Sequence, residues 1–485
     1  MSVLGNFIYC IYNFGSKIKK LYGESHSHIV EYFENYNFKD SEYMSRDVEY
    51  ISKYFNNGML GSTTYSTKRN YDRCIIDKIL DETYEYVRVN TRSFSCGGVG
   101  GQCITSYPIK NSNYMCTMVV YFDRCELHIL EIKTLNSVSF IKLPTSVVSI
   151  DKIINSKNLS KITGVYTFMD PKNNFIIGGS DGHIRQITPI YNINNIPLLY
   201  ITKDIDLTLY IDDKQIVGIL PDFSGRIWFT TRSGAIYILE NDICQYIKFE
   251  DQLIEKSFSI NRYNICFILT TKLLYAMQYD KEFKILWTCD IYSNIINKES
   301  NVSSLYIGSG TTPVLIGDLY VVLADNDVPF SVLFIDQKTG VLLYKVKTSF
   351  NLTQCSLVVR DESSVIIVNN ENYNNFMNIH VLGNTPSAGV ALIKIHEGVK
   401  WCNINVIPST CLPLYSVPND VVILYTLENK NNWYLTVLSG NDGNILYKIL
   451  IGSGLAFDNH WCPILCDQLG CIIIGTINGI IRIYI

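Results

Sequence analysis

The sequence predicts an all-β chain folded as a single β-propeller, with an irregular extension at its N-terminus. Three observations predict it. A unit of apolar strand, tight polar turn and second apolar strand returns from Asn113 to the end of the chain. The units recur at roughly 40 to 55 residues, the range of a four-stranded blade, which gives about eight blades with seven as the smaller alternative. No amphipathic stretch of a dozen residues follows Asn113, so the crossover helices of a parallel sheet have no sequence to form from.

The clearest units are NNFIIGGSDGHIRQI (173–187), GRIWFTTRSGAIYIL (225–239) and GCIIIGTINGIIRIYI (470–485). Each turn ends on Gly182, Gly234 or Gly479, where a residue without Cβ reverses the chain at positive φ. Looser copies lie at 113–134, 264–280, 318–346, 364–375 and 421–449. Residues 1–110 lack the unit and read as the extension, while 111–485 read as the propeller. The chain ends in IIRIYI without an outer strand after it. An N-terminal segment is therefore expected to complete the last blade, since an unpaired edge is a template for aggregation.

Composition bounds the function. The chain has 485 residues, 47% hydrophobic, and a formal net charge of −4. That balance gives no electrostatic ground for nucleic-acid binding. No apolar run reaches the span of a bilayer, and the basic residues of MSVLGNFIYCIYNFGSKIKK follow its apolar patch instead of preceding it, unlike a signal peptide. Abundant Tyr, with Ile, Asn and Lys, is what A/T-rich codons encode, as in a large DNA virus or a protist. Fifteen cysteines at irregular spacing read as buried thiols, with Cys96 and Cys103 on one glycine-rich loop as the disulfide candidates.

The glycine-turn repeat resembles the quinoprotein-like propellers, which carry pyrroloquinoline-quinone-type repeats. LPDFSGRIWFTTRSGAI (220–236), GSGTTPVLIGDLYVVLADNDVP (308–329), VNNENYN (368–374) and DNHWCPILCDQLGCIIIGTINGIIRI (458–483) are similar to a poorly characterised bacterial propeller family, of which a large DNA virus could hold a homologue. The resemblance implies the fold and no particular reaction. Quinone dehydrogenases of this fold use paired adjacent cysteines, and this chain has no Cys-Cys pair. No cofactor is expected.

No catalytic or metal motif emerges. GSGTTP carries Pro313 where a phosphate loop needs lysine. SCGGVGGQC (95–103) lacks a surrounding βαβ pattern. Cys462, Cys466 and Cys471 lack the paired spacing of a zinc site. What remains is a polar set: Ser309, Thr311, Thr312, Asp325, Asn326, Asp327, Asn369, Asn370, Asp458, Asn459 and His460. These either cap their own turns or line a ligand pocket at the channel mouth. The leading expectation is a non-catalytic module that self-assembles or binds protein partners, in a virion or surface assembly. The alternative is an enzyme or lectin-like binder of a carbohydrate or small polar ligand, with Asp325, Asp327, Asp458 and His460 as its reactive groups.

Overall fold

The computed structural model describes short strands at 24–25, 30–32 and 86–88, and residues 101–109, 112–120, 125–144, 167–170, 172–213, 216–291, 311–373, 385–416, 419–429, 431–454, 457–459, 464–466, 472–476 and 478–483. The described residues form strands and turns, with no α-helix among them. The strands group into seven sheets, and within each the chain steps between hydrogen-bonded antiparallel neighbours. The second to seventh sheets follow one another along the chain at 167–206, 216–248, 259–289, 314–347, 358–403 and 414–453.

The first sheet holds both ends of the ring. It joins the strands at 101–143 to the three C-terminal strands at 464–483. Asn478–Ile483 lies parallel to Gly101–Pro108 at Asn478↔Gly101 and antiparallel to Tyr86–Arg88 at Tyr86↔Ile483. The ring therefore has seven sheets, the smaller expected count. Strands 101–143 and 464–483 read as separate blades in the sequence, and a hydrogen-bonded ladder fuses them. A ladder between distant ends leaves no local pattern.

Each middle strand is buried on both faces, and successive residues serve different neighbours. In the fifth sheet, Val322, Ala324, Val332 and Phe334 pack with Val365, Ile367, Ala391 and Ile393 of the sixth. Val321, Leu323, Leu333 and Ile335 pack with Phe267, Leu269, Leu274 and Ala276 of the fourth. Full burial of such a side chain is worth about 1.5–3 kcal/mol. Two-sided burial explains why these strands read as continuous apolar runs, not as alternating ones.

Outer strands alternate exposed and half-buried residues and carry lysines such as Lys203, Lys248, Lys284 and Lys345, which discourage edge pairing. The seventh sheet departs from this. Its outer strand Ile445–Ser453 is largely buried, because Glu24–Ser25 and Val30–Tyr32 pair onto it.

Aromatic rings lock one sheet to the next. A bulge interrupts several outer ladders, and in four of them the residue just after it is aromatic: Trp287 opposite Ala276, Tyr344 opposite Phe334, Trp401 opposite Leu392 and Tyr447 opposite Val437. Trp287 lies under Gly340 and donates its indole N–H to Gln337 O at 2.9 Å. Trp401 lies under Gly443 and donates to Gly440 O at 3.0 Å. Tyr344 meets His396 edge-on at 4.4 Å between ring centroids. The glycines are required: a Cβ on Gly443 would stand 2.4 Å from the Trp401 ring, at φ +75°. Trp401→Ala should lower unfolding stability by about 3–5 kcal/mol in denaturant titration, the cost of an emptied aromatic site.

Candidate functional site

Strand alternation decides which loops share a face. In each sheet the turn between the second and third strands lies at the same end as the connection entering the innermost strand. Thr311 and Thr312 precede the inner strand Val314–Ile316, and Asp325 to Asp327 follow the second strand Tyr320–Ala324. Asn369 and Asn370 follow the second strand Ser364–Val368, and Asp458 and Asn459 precede Ile464–Cys466. The described members of the polar set thus lie on one face of the ring. Ser309, His460 and Cys96 lie outside the described residues, as does the Cys103 side chain.

The members on the fifth sheet hold their own turn. Thr311 Oγ1 accepts the Ala324 N–H at 3.0 Å, and Thr312 is buried beside it. Asp325 Oδ1 accepts the N–H groups of Asp327 at 3.2 Å and Ser331 at 2.7 Å. Lys345 bridges Asp325 Oδ2 and Asp327 Oδ2, at 2.9 Å each. Burial pushes the Asp325 carboxyl above its ordinary range, while the Ser331 N–H and Lys345 oppose that rise. Asn326 is half-buried in the same turn.

The remaining members stitch neighbouring sheets together. Asn369 accepts from Glu371 N at 3.1 Å and donates to Ala388 O at 3.1 Å. Asn370 Oδ1 accepts the N–H groups of Gln354 and Cys355, at 2.9 and 3.3 Å, and its Nδ2 donates to Ser409 O at 3.2 Å. Ser409 Oγ donates to Asn459 Oδ1 at 2.6 Å. Tyr373 OH donates to Asp458 Oδ1 across 85 positions of sequence. The chain Asn370–Ser409–Asn459 joins the connections entering the sixth, seventh and first sheets into a polar collar.

Four collar residues escaped the sequence reading: Ser409, Tyr373, Cys355 and Lys256. A signal existed for two of them. TQCSLVV (353–359) and STCLPLY (409–415) both place a hydroxyl residue two positions before a cysteine and an inner strand after it. Cys355 Sγ donates to Thr410 O at 3.0 Å. Burial pushes the Cys355 and Cys411 thiols up, the latter to about 11, so both stay protonated and poorly nucleophilic at neutral pH. Lys256 precedes the inner strand Ser259–Ile260, next to Glu255, which pairs with Arg232 at 3.2 Å. Burial brings the Lys256 ammonium down to about 7, with Glu255 and Cys355 pulling the other way. Among the described residues no group of three His, Cys, Asp or Glu side chains is placed to hold a metal.

No family model and no curated protein matches the chain. Solved structures similar to it are propellers. The WD40 propeller domain of Doa1 shares 12% identity at TM-score 0.38, over 64% of this chain and 88% of that one. The propeller domain of Myceliophteria thermophila Cps50 (Swd1) shares 9% at 0.39, over 66% and 96%. The Dos1 propeller shares 7% at 0.46, over 80% and 92%. These values are too low to carry function from any of the three to this chain.

Two outcomes follow from the collar. Asn370→Ala leaves two buried N–H groups and one carbonyl short of a partner, and should cost about 1–3 kcal/mol in denaturant unfolding. The unfolded Lys256 ammonium titrates near its ordinary value of 10.5 and the folded one, held in a buried site, at about 7. Over that window the unfolded chain holds a proton that the folded one lacks, so this residue makes stability rise with pH. Lys256→Met should flatten that rise in melts recorded from pH 7 to 10.

Proposed function

We propose that this propeller is a non-catalytic protein-interaction or scaffold module. The observation that carries the reading is the employment of its polar groups. Asp325, Asn369, Asn370, Asp458 and Asn459 bond to their own turns or to adjacent connections, and groups so occupied serve as structure. Asp325, Asp327 and Asp458, the described carboxylates of the enzymatic alternative, are distributed over two such arrangements, one around Lys345 and one around Tyr373.

The rim supports the same reading. Between residues 190 and 210, the second sheet and the connection after it expose Ile190, Tyr191, Ile193, Tyr200, Ile201, Leu209 and Tyr210. Ile193 and Leu209 are exposed in full or nearly so, at 101% and 96%. Exposed apolar and aromatic side chains along the outer hairpin and the turn after it supply surface of the kind that protein-binding faces use. Assembly into a particle or surface layer, with a distant relationship to quinoprotein-like propellers, belongs to this proposal. It draws on the tyrosine content and the glycine-turn repeat.

The test combines Ile193→Asp with Tyr200→Glu and compares the variant with the unaltered chain by mass photometry and by crosslinked partner capture. Assembly or capture should fall at least tenfold with an unchanged unfolding midpoint. Unchanged assembly and capture in a folded variant would sink the reading.

A further inference from the structure

The ring locks are missing from two bulged outer ladders, where the first sheet carries Ser139 opposite Ile129 and the second carries Lys203 opposite Gln186. In the second sheet the residue just after the outer bulge is Lys203, opposite Gln186, with Ile205 opposite Ile184. In the fourth sheet the same two places hold Trp287 opposite Ala276 and Cys289 opposite Leu274. In the sixth they hold Trp401 opposite Leu392 and Asn403 opposite Val390. Lys203 therefore occupies the place from which the two tryptophans reach the following sheet.

The space that an indole fills elsewhere is a cavity here. It measures about 290 Å³ and lies between the second and third sheets, with Ile184, Ile205 and Ile227 on its apolar side, Gln186, Lys203 and Arg226 on its polar side, and the turn Glu240–Asp242 at its rim. That turn stands where Gln337 and Gly440 offer their carbonyls to Trp287 and Trp401. It is also tighter, reversing through Asn241 and Asp242, both at positive φ. Lys203 pairs with Asp242 at 2.5 Å, with the two side chains 46% and 55% exposed. An exposed pair of this kind holds weakly and yields readily to an incoming group.

We propose that this slot receives a tryptophan or other aromatic side chain presented by a partner protein. The ring would lie on the isoleucine lining, as the tryptophans of the fourth and sixth sheets lie on theirs. The Lys203 ammonium, released from Asp242, would meet the ring face, where cations are attracted to aromatic electron density. The slot adjoins the strand that carries the exposed Tyr200 and Ile201, so one partner segment could cover the rim and insert the ring. The inference rests on the interaction reading above and names its anchor.

Isothermal titration of the full chain with N-acetyl-tryptophanamide tests it, with N-acetyl-leucinamide as the control. Saturable binding of the tryptophan amide is expected, with the leucine amide at least tenfold weaker. Lys203→Trp should fill the slot from within, abolish that binding and raise the unfolding midpoint. Lys203→Met keeps the cavity and should keep binding, weakened a few-fold by loss of the cation. No saturable binding to the unaltered chain, or undiminished binding to folded Lys203→Trp, overturns the proposal. Loss of capture in the rim variant without amide binding would leave the interaction reading standing and remove only the slot. Amide binding with undiminished capture in the rim variant would do the reverse.

Discussion

A sheet whose middle strands are apolar on both faces cannot stand in water, and the architecture depends on that constraint. Val321 and Val322 are consecutive, yet one needs the fourth sheet and the other the sixth. Every such sheet demands two neighbours. Only a closed arrangement gives the first and last sheets the same cover as the rest. Closure falls to the ends of the chain, where Asn478–Ile483 takes one neighbour from 86–88 and another from 101–108.

Close packing then sets what the connections can do. Antiparallel alternation delivers the entries to successive inner strands to one face, where their backbones run close together. Crowded backbone groups need partners once water is excluded, and asparagine, serine and threonine supply them. Asn370 satisfies two N–H groups and one carbonyl from two connections. Polar residues that resemble a ligand site in the sequence thus become the cement of the ring.

The perimeter obeys a different rule. Outer strands diverge from one another, and the wedge between neighbouring sheets must be filled. Large flat rings do this at the fourth and sixth sheets, each needing a glycine beneath and a carbonyl for its indole N–H. The second sheet has a lysine instead, and beside it the exposed apolar residues gather. The same flank thus combines an unfilled wedge within and exposed apolar side chains without.

Much of this was legible in the sequence. Continuous apolar runs punctuated at Gly182, Gly234 and Gly479 determine the strands and their turns, because strand pairing and chain reversal are local. The hydroxyl-x-cysteine pattern before Cys355 and Cys411 could also have been read, since its repeat is local. The number of sheets was not, because the joining of 101–143 to 464–483 is a pairing of remote segments. Nor were the roles of Asn370, Asp458 and Lys203 legible. A capping asparagine and a bridging one look the same in sequence, and a lysine reveals its place in the ring only when the bulge beside it is aligned with those beside Trp287 and Trp401. The sequence by itself determined the repeating β-unit, since that unit follows from local backbone and hydrophobic preferences. Only the tertiary structure decided which polar groups are occupied and which wedge stays open, because both depend on contacts between sheets far apart along the chain.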